Sequence, residues 1–126
     1  NVVRKSPGYG GEVSNYPIED KMVICLFGLG RDTSQILNNS ELTEIINTAS
    51  LGIQLTNVNL RTAIKTGRLF TEKAGLMNER LSEILEQVPR GAVASVAYLG
   101  TSIIATSDDV LRLRSALENF GEIREF

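Results

Sequence analysis

Two short stretches of this chain carry residue types suited to holding an anion. The first is Gly28-Leu29-Gly30-Arg31-Asp32-Thr33-Ser34, which follows an apolar run and opens a helix-like segment. Backbone N–H groups at a helix start favour negative charge, and an arginine adds a planar fork of donors. The glycines would let a ligand come close to the backbone. The stretch lacks the third glycine of a dinucleotide fingerprint and the Gly-Lys-Ser/Thr of a Walker loop. A ligand loop and a plain strand-to-helix turn with its cap both remain open. The second stretch is Gly91-Ala92-Val93-Ala94-Ser95-Val96-Ala97. Its small residues admit either a phosphate or a tightly packed helix, and Ser95 offers a hydroxyl.

Other charged positions read more simply. Arg4-Lys5 beside Gly8, Gly10 and Gly11 can hold a carboxylate or phosphate, or form a solvated linker. Glu72-Lys73, Glu79-Arg80 and Glu83 fall on helix faces away from the apolar positions, as a solvated surface does. Asp108-Asp109 sits at a helix start, where the dipole favours anions.

The chain has no histidine and one cysteine, Cys25. The commonest general base and metal ligand is therefore absent, and neither a disulfide framework nor a thiolate zinc site can form. Cys25 lies within Met22-Val23-Ile24-Cys25-Leu26-Phe27 and reads as a small buried hydrophobe. No nucleophile-and-base pair can be named from spacing. If the chain is enzymatic, part of the enzyme lies elsewhere.

With 126 residues, the length fits one domain. Thirteen Lys/Arg against 15 Asp/Glu leave a net charge of −2. That balance, with a pI near 5.2 and no basic cluster, argues against nucleic-acid binding. No apolar run is long enough for a membrane span or signal peptide, so a cytoplasmic location is expected. The chain opens on Asn1 and not Met, which points to processing, a cloning boundary or a longer parent protein.

The elements that must position these residues follow from patterning. Residues 1–19 are rich in turn formers, with Val2-Val3 as a short strand. Residues 21–27 predict a buried strand and Asp32 to Asn38 a short helix. Ser40 starts a helix with Leu42, Ile45, Ile46 and Ala49 on its buried face. Asn57 or Asn59 starts the next, with Leu60, Ala63, Ile64 and Gly67 on one face and Gly75 at its end. Asn78 caps another, carrying Leu81, Ile84, Leu85 and Val88, stopped by Pro89 and Gly91. Residues 92–99 and 102–106 predict a hairpin. Thr106 and Asp109 have capping-box spacing before a helix with Val110, Leu113 and Leu117. Residues 122–126 predict a last strand.

The resulting order predicts an α+β, ferredoxin-like split βαβ sheet with extra helices in the first crossover. Helices are expected on one face, with the other left for a partner. The segment 91–97 is expected to be a central strand.

In order and spacing, these motifs resemble the archaeal pantoate kinases of the GHMP kinase superfamily. The resemblance rests on Pro7-Gly8-Tyr9-Gly10-Gly11-Glu12-Val13, Tyr16-Pro17-Ile18, Gly30-Arg31-Asp32-Thr33-Ser34-Gln35-Ile36-Leu37, Phe70-Thr71-Glu72-Lys73-Ala74-Gly75-Leu76, and Gly91 to Gly100 followed by Thr101-Ser102-Ile103-Ile104-Ala105-Thr106. It spans nearly the whole chain. It implies the C-terminal domain of a two-domain kinase, with residues 1–19 as a linker or short strand from a missing N-terminal domain and 20–126 as the ferredoxin-like domain. The family's N-terminal phosphate loop, Gly-Leu-Gly-Ser-Ser-like, is absent here.

The implied reaction is transfer of the γ-phosphoryl of ATP to the hydroxyl of (R)-pantoate, toward coenzyme A. ATP and Mg²⁺ would both need the N-terminal domain. By position, Arg31, Thr33 and Ser34 stand on the substrate side, and Gly91, Ala94 and Ser95 on the phosphate and ATP side. No metal ligand and no catalytic base is implied. The isolated chain is expected to be inactive and to self-associate, as a homodimer. Two alternatives stand beside this reading: a GHMP domain for another small hydroxyl substrate, or a free-standing ferredoxin-like ligand-binding or interaction module.

Overall fold

A computed structural model describes residues 2–4, 13–15, 20–27, 38–51, 59–97 and 101–126. The elements in chain order are β1 (Val2–Arg4), β2 (Val13–Asn15), β3 (Met22–Leu26), α1 (Ser40–Leu51), α2 (Leu60–Lys73), α3 (Glu79–Glu86), β4 (Val93–Ala97), β5 (Ser102–Thr106), α4 (Val110–Leu117) and β6 (Glu122–Glu125). The expected helix at 32–38 falls outside the described residues, apart from a turn at Asn38.

Local chemistry sets most helix ends. Asn59 caps α2 in a reciprocal box. Its side chain accepts from the Thr62 N–H, and the Thr62 hydroxyl accepts from the Asn59 N–H. Gly75, at φ +68°, closes the same helix. Its N–H and that of Leu76 return to the carbonyls of Glu72 and Thr71, a Schellman arrangement that only a left-handed residue permits without strain. Asn78 caps α3 through the Leu81 N–H. For α4 the cap is Asp109, accepting from the Arg112 N–H, and not Thr106. Thr106 is still inside β5, and its hydroxyl is committed to the Lys21 carbonyl at 2.7 Å.

β1 and β2 form a two-stranded antiparallel ladder, with Val3 opposite Ser14. Only β1 was expected there. The other strands form one antiparallel sheet in the order β4-β5-β3-β6. Counted from β3, that order is 2-3-1-4, consistent with a ferredoxin-like sheet. β4 is thus an edge strand, not the expected central one, because β5 turns back between it and β3.

The register divides the sheet into two faces. Val23, Ala105 and Ala94 share one row, and Cys25, Ile103 and Val96 the next. These rows face α3 and α4, whose Leu81, Ile84, Leu85, Leu113 and Leu117 complete the main core. Ile84, Ile103, Leu113 and Leu117 are fully buried. Each such side chain contributes about 1.5–3 kcal/mol relative to exposure.

The second face differs from the expectation of an open sheet. Helix α2 crosses it, packing chiefly on β4 and less on β5. Its buried stripe is Leu60, Ile64 and Thr71, at the spacing of one helical face. Gly67, in the same stripe, lets the helix approach Ser95, which a Cβ there would meet at 3.4 Å. Over β3 and β6 the second face stays partly exposed. Met22, Ile24 and Leu26 are only half-buried, and Glu122 and Arg124 are exposed.

Helix α1 packs on the end of α2, where Leu42, Ile46 and Ala49 meet Phe70, Ala74 and Leu76. Ile45, expected in the buried face, is 43% exposed. Among the described residues α1 packs chiefly on the end of α2, through a narrow stripe. No described helix is long and apolar enough to cross a membrane.

Candidate functional site

The second face of the sheet is lined with small hydroxyl residues where the first is lined with hydrocarbon. Met22, Thr106 and Val93 form one row across it, Ile24, Ile104 and Ser95 the next, and Leu26, Ser102 and Ala97 the last. Ser95, Ser102 and Thr106 are buried to within 1% exposure, as is Thr71 of α2 to within 4%.

Two of these hydroxyls are well partnered. Thr71 donates to the Gly67 carbonyl at 2.9 Å, and Thr106 to Lys21. Ser95 makes a long contact of 3.4 Å to the Val96 carbonyl. Ser102 has no hydrogen-bond partner although it is fully buried. Leaving a buried hydroxyl unpaired costs about 1–3 kcal/mol. The fold therefore holds an unspent hydrogen-bonding group at one end of its second face.

That end is also where the anion-suited loop begins. Leu26 closes β3 beside Ser102, and the Phe27 N–H donates to the Thr101 carbonyl at 3.1 Å. The chain then enters 28–37, which carries Arg31, Thr33 and Ser34; these three lie outside the described residues. The β4–β5 connection, 98–100, leaves the same end and is likewise outside them. Ser102 was passed over in the sequence because a serine opening a β-strand carries no signal of its own. Gly67 and Thr71 were legible only as parts of a helix face.

Gly91, Ala94 and Ser95 do not converge. Gly91 lies in the turn before β4, at φ +90°, with the Ala92 N–H bonded to the Pro89 carbonyl. Ala94 faces the main core between α3 and α4, whereas Ser95 faces α2 on the opposite side. Val93 and Ala97 are separated by four strand steps, about 13 Å at ~3.3 Å each, so Gly91 lies at the far end from Ser102. The small residues of this strand serve helix packing on both faces.

Arg61 ties the Gly91 end together. Its guanidinium donates to the Gly91 carbonyl at 2.8 Å and to Asp108 at 3.3 Å. This anchors the first turn of α2 to the turns before β4 and after β5. Asp108 is almost fully exposed, so the ion pair itself adds little in water; the bond to the carbonyl provides the register.

Open hollows on the described surface include two of similar size. One of about 480 Å³ lies between Glu41, Glu44, Ile45, Thr48, Ala49 and Lys73. The other, about 460 Å³, lies beside Asp20, Lys21, Ser107, Asp108 and Asp109. Neither includes Gly91, Ala94, Ser95 or Ser102. Among the described residues no three His, Cys, Asp or Glu side chains come close enough to hold a metal ion. Cys25 is fully buried and its Sγ donates to the Leu117 carbonyl at 3.5 Å. Burial pushes its thiol above the ordinary value of 9.0, so it stays protonated at neutral pH and serves packing.

No family model and no curated protein matches the chain. Among solved structures, one described as "Phosphotransferase related to CoA biosynthesis pathway" is similar, with 23% identity and a TM-score of 0.66. The likeness covers 98% of this chain and 43% of that one. At this identity it shows the fold, and this chain spans less than half the length of that protein.

Proposed function

We propose that this chain is the C-terminal half of a GHMP-type kinase that phosphorylates (R)-pantoate with ATP on the route to coenzyme A. The observation that carries the reading is the structural likeness. It runs over 98% of this chain but only 43% of a protein described as a phosphotransferase related to coenzyme A biosynthesis. The ordered motifs of the sequence support the same assignment.

The proposal gives the two halves different work. Ala94 and Ser95 face opposite sides of β4 and Gly91 lies in the turn before it, so the three do not converge on one point. The described residues thus do not fit ATP and Mg²⁺ on their own, and the reading assigns both to an N-terminal domain preceding residues 1–19. β4 then acts as a wall of the ATP side and not as a set of three contacts. The reading assigns the acceptor's carboxylate to the fork of Arg31, with Thr33 and Ser34 as its neighbours in sequence; all three lie outside the described residues. Ser102, opposite Leu26 at the end of β3, is a buried hydroxyl with no hydrogen-bond partner among the described residues.

ADP release in the presence of pantoate tests the proposal. The full reading frame containing this chain is expected to turn over, and the 126-residue chain alone is not. Arg31→Ala in the full protein should raise KM for pantoate about tenfold or more while changing kcat less, because a carboxylate clamp holds substrate and transition state alike. An unchanged KM would remove Arg31 from the acceptor site. Turnover by the isolated chain would overturn the division into halves. A start codon directly before Asn1 would favour a ligand-binding module without catalysis.

A further inference from the structure

Among the described residues no strand pairs with the outer edge of β6. β6 ends the strand order, and Glu122, Arg124 and Glu125 are exposed. Met22 and Phe126 exchange both backbone hydrogen bonds, at 3.1 and 2.8 Å. In an antiparallel ladder, residues that bond inward alternate with residues that bond outward. Counting back from Phe126, Arg124 and Glu122 direct their backbone groups to β3. Ile123 and Glu125 direct theirs away from the sheet.

A second copy pairing antiparallel about a two-fold axis must place outward-bonding residues opposite one another. The axis can then pass through Ile123, Arg124 or Glu125. An axis through Arg124 sets two arginines face to face, and one through Glu125 sets two glutamates face to face. Like charges directly opposite destabilise a ladder. An axis through Ile123 sets isoleucine against isoleucine and places each Glu122 opposite Arg124 of the second copy. Of these backbone-compatible registers, the one through Ile123 sets unlike charges opposite each other, so the order Glu-Ile-Arg is self-complementary there.

The surroundings agree with this arrangement. In one chain Glu122 and Arg124 reach each other at 3.4 Å along the strand, with both side chains more than half exposed. Such a pair contributes little in water and is free to re-pair across the edge. Phe126 is 67% exposed and Leu111 of α4 77% exposed. Arg114 of α4 bonds Glu125 at 3.3 Å, which ties that helix to the strand.

We propose that β6 is a homodimer surface, joining two sheets into one continuous sheet through Ile123. The surface does not depend on the functional reading, although Glu122 shares a row of the second face with Leu26 and Ser102. Sedimentation velocity on the chain and two charge reversals tests it. Wild type is expected to dimerise. Glu122→Arg and Arg124→Glu, each alone, should weaken the dimer at least about tenfold, since each replaces two opposite-charge pairs by like-charge pairs. Mixing the two variants should restore a heterodimer, because the arginines of one then face the glutamates of the other. The double variant should dimerise with itself. Circular dichroism would confirm that the exposed substitutions leave the fold intact. A wild type that stays monomeric at about 100 µM, well above a micromolar Kd, would overturn the proposal. So would a dimer indifferent to both reversals, or a mixture that forms no heterodimer.

Discussion

The two faces of the central sheet are covered by different kinds of residue at different densities. On the first face, Val23, Cys25, Ile103 and Ala105 meet Ile84, Leu113 and Leu117 with no exposure at all. On the second, α2 brings Leu60, Ile64, Gly67 and Thr71 to a face that carries the buried hydroxyls of Ser95, Ser102 and Thr106. The first arrangement maximises buried hydrocarbon. The second accepts one unpaired hydroxyl and leaves the β3–β6 half partly uncovered. The contrast separates what holds the domain together from what is free to meet a ligand or another domain.

Substitutions should report this division quantitatively. The largest effect belongs to the first face. Leu113→Ala should lower unfolding stability by about 3–4 kcal/mol, as measured by denaturant titration, because the site is fully buried and rigidly packed. A loss near 1 kcal/mol would mean that the first face collapses around the cavity, and the contrast would fail. On the second face, Thr106→Val keeps the shape and removes the bond to Lys21. A cost of about 1–2 kcal/mol is expected.

Ser102→Ala should have the opposite sign. Removing a buried hydroxyl that has no partner should stabilise the chain by up to about 1 kcal/mol. If that hydroxyl serves a bound acceptor, the same change should reduce kcat/KM for pantoate in the full protein. A destabilised variant would show that Ser102 is satisfied in solution and would remove its claim to the site.

The smallest effect is a pH dependence. Burial raises the Cys25 thiol in the folded state above its ordinary value of 9.0. Its contribution to stability is therefore complete below that value and is lost as pH rises through the folded-state pKa. Cys25→Ala should flatten the alkaline limb of a stability-against-pH curve, apart from a constant cavity cost.

Much of the architecture was legible in the sequence. The spacing of Leu81, Ile84 and Leu85 marked α3. Asn78 and Gly75 marked ends that the structure keeps. The order of strands and helices was sufficient to predict the split βαβ arrangement. The site was less legible. The stretch after β3 drew notice through its glycines and Arg31 and lies outside the described residues, whereas Ser102 carried no local mark. Ser95 was recognised as small and polar without any means of telling whether a helix or a phosphate met it. The β4 segment was placed at the sheet centre because its small apolar residues resemble those of a strand covered on both sides. It is covered on both sides, but by helices at an edge.

What the sequence determined by itself are features governed by neighbours within about four residues: helix caps, the Gly75 stop, apolar periodicity, and the absence of histidine chemistry. The tertiary structure decided which face each periodic residue meets. Cys25 bonds Leu117 across 92 residues, and Thr106 bonds Lys21 across 85. Contacts of that kind displaced the α4 cap from Thr106 to Asp109, put α2 on the second face and left Ser102 without a partner. Helix ends are closed by bonds inside one turn, whereas a buried hydroxyl is satisfied or orphaned only when strands remote in sequence settle into register.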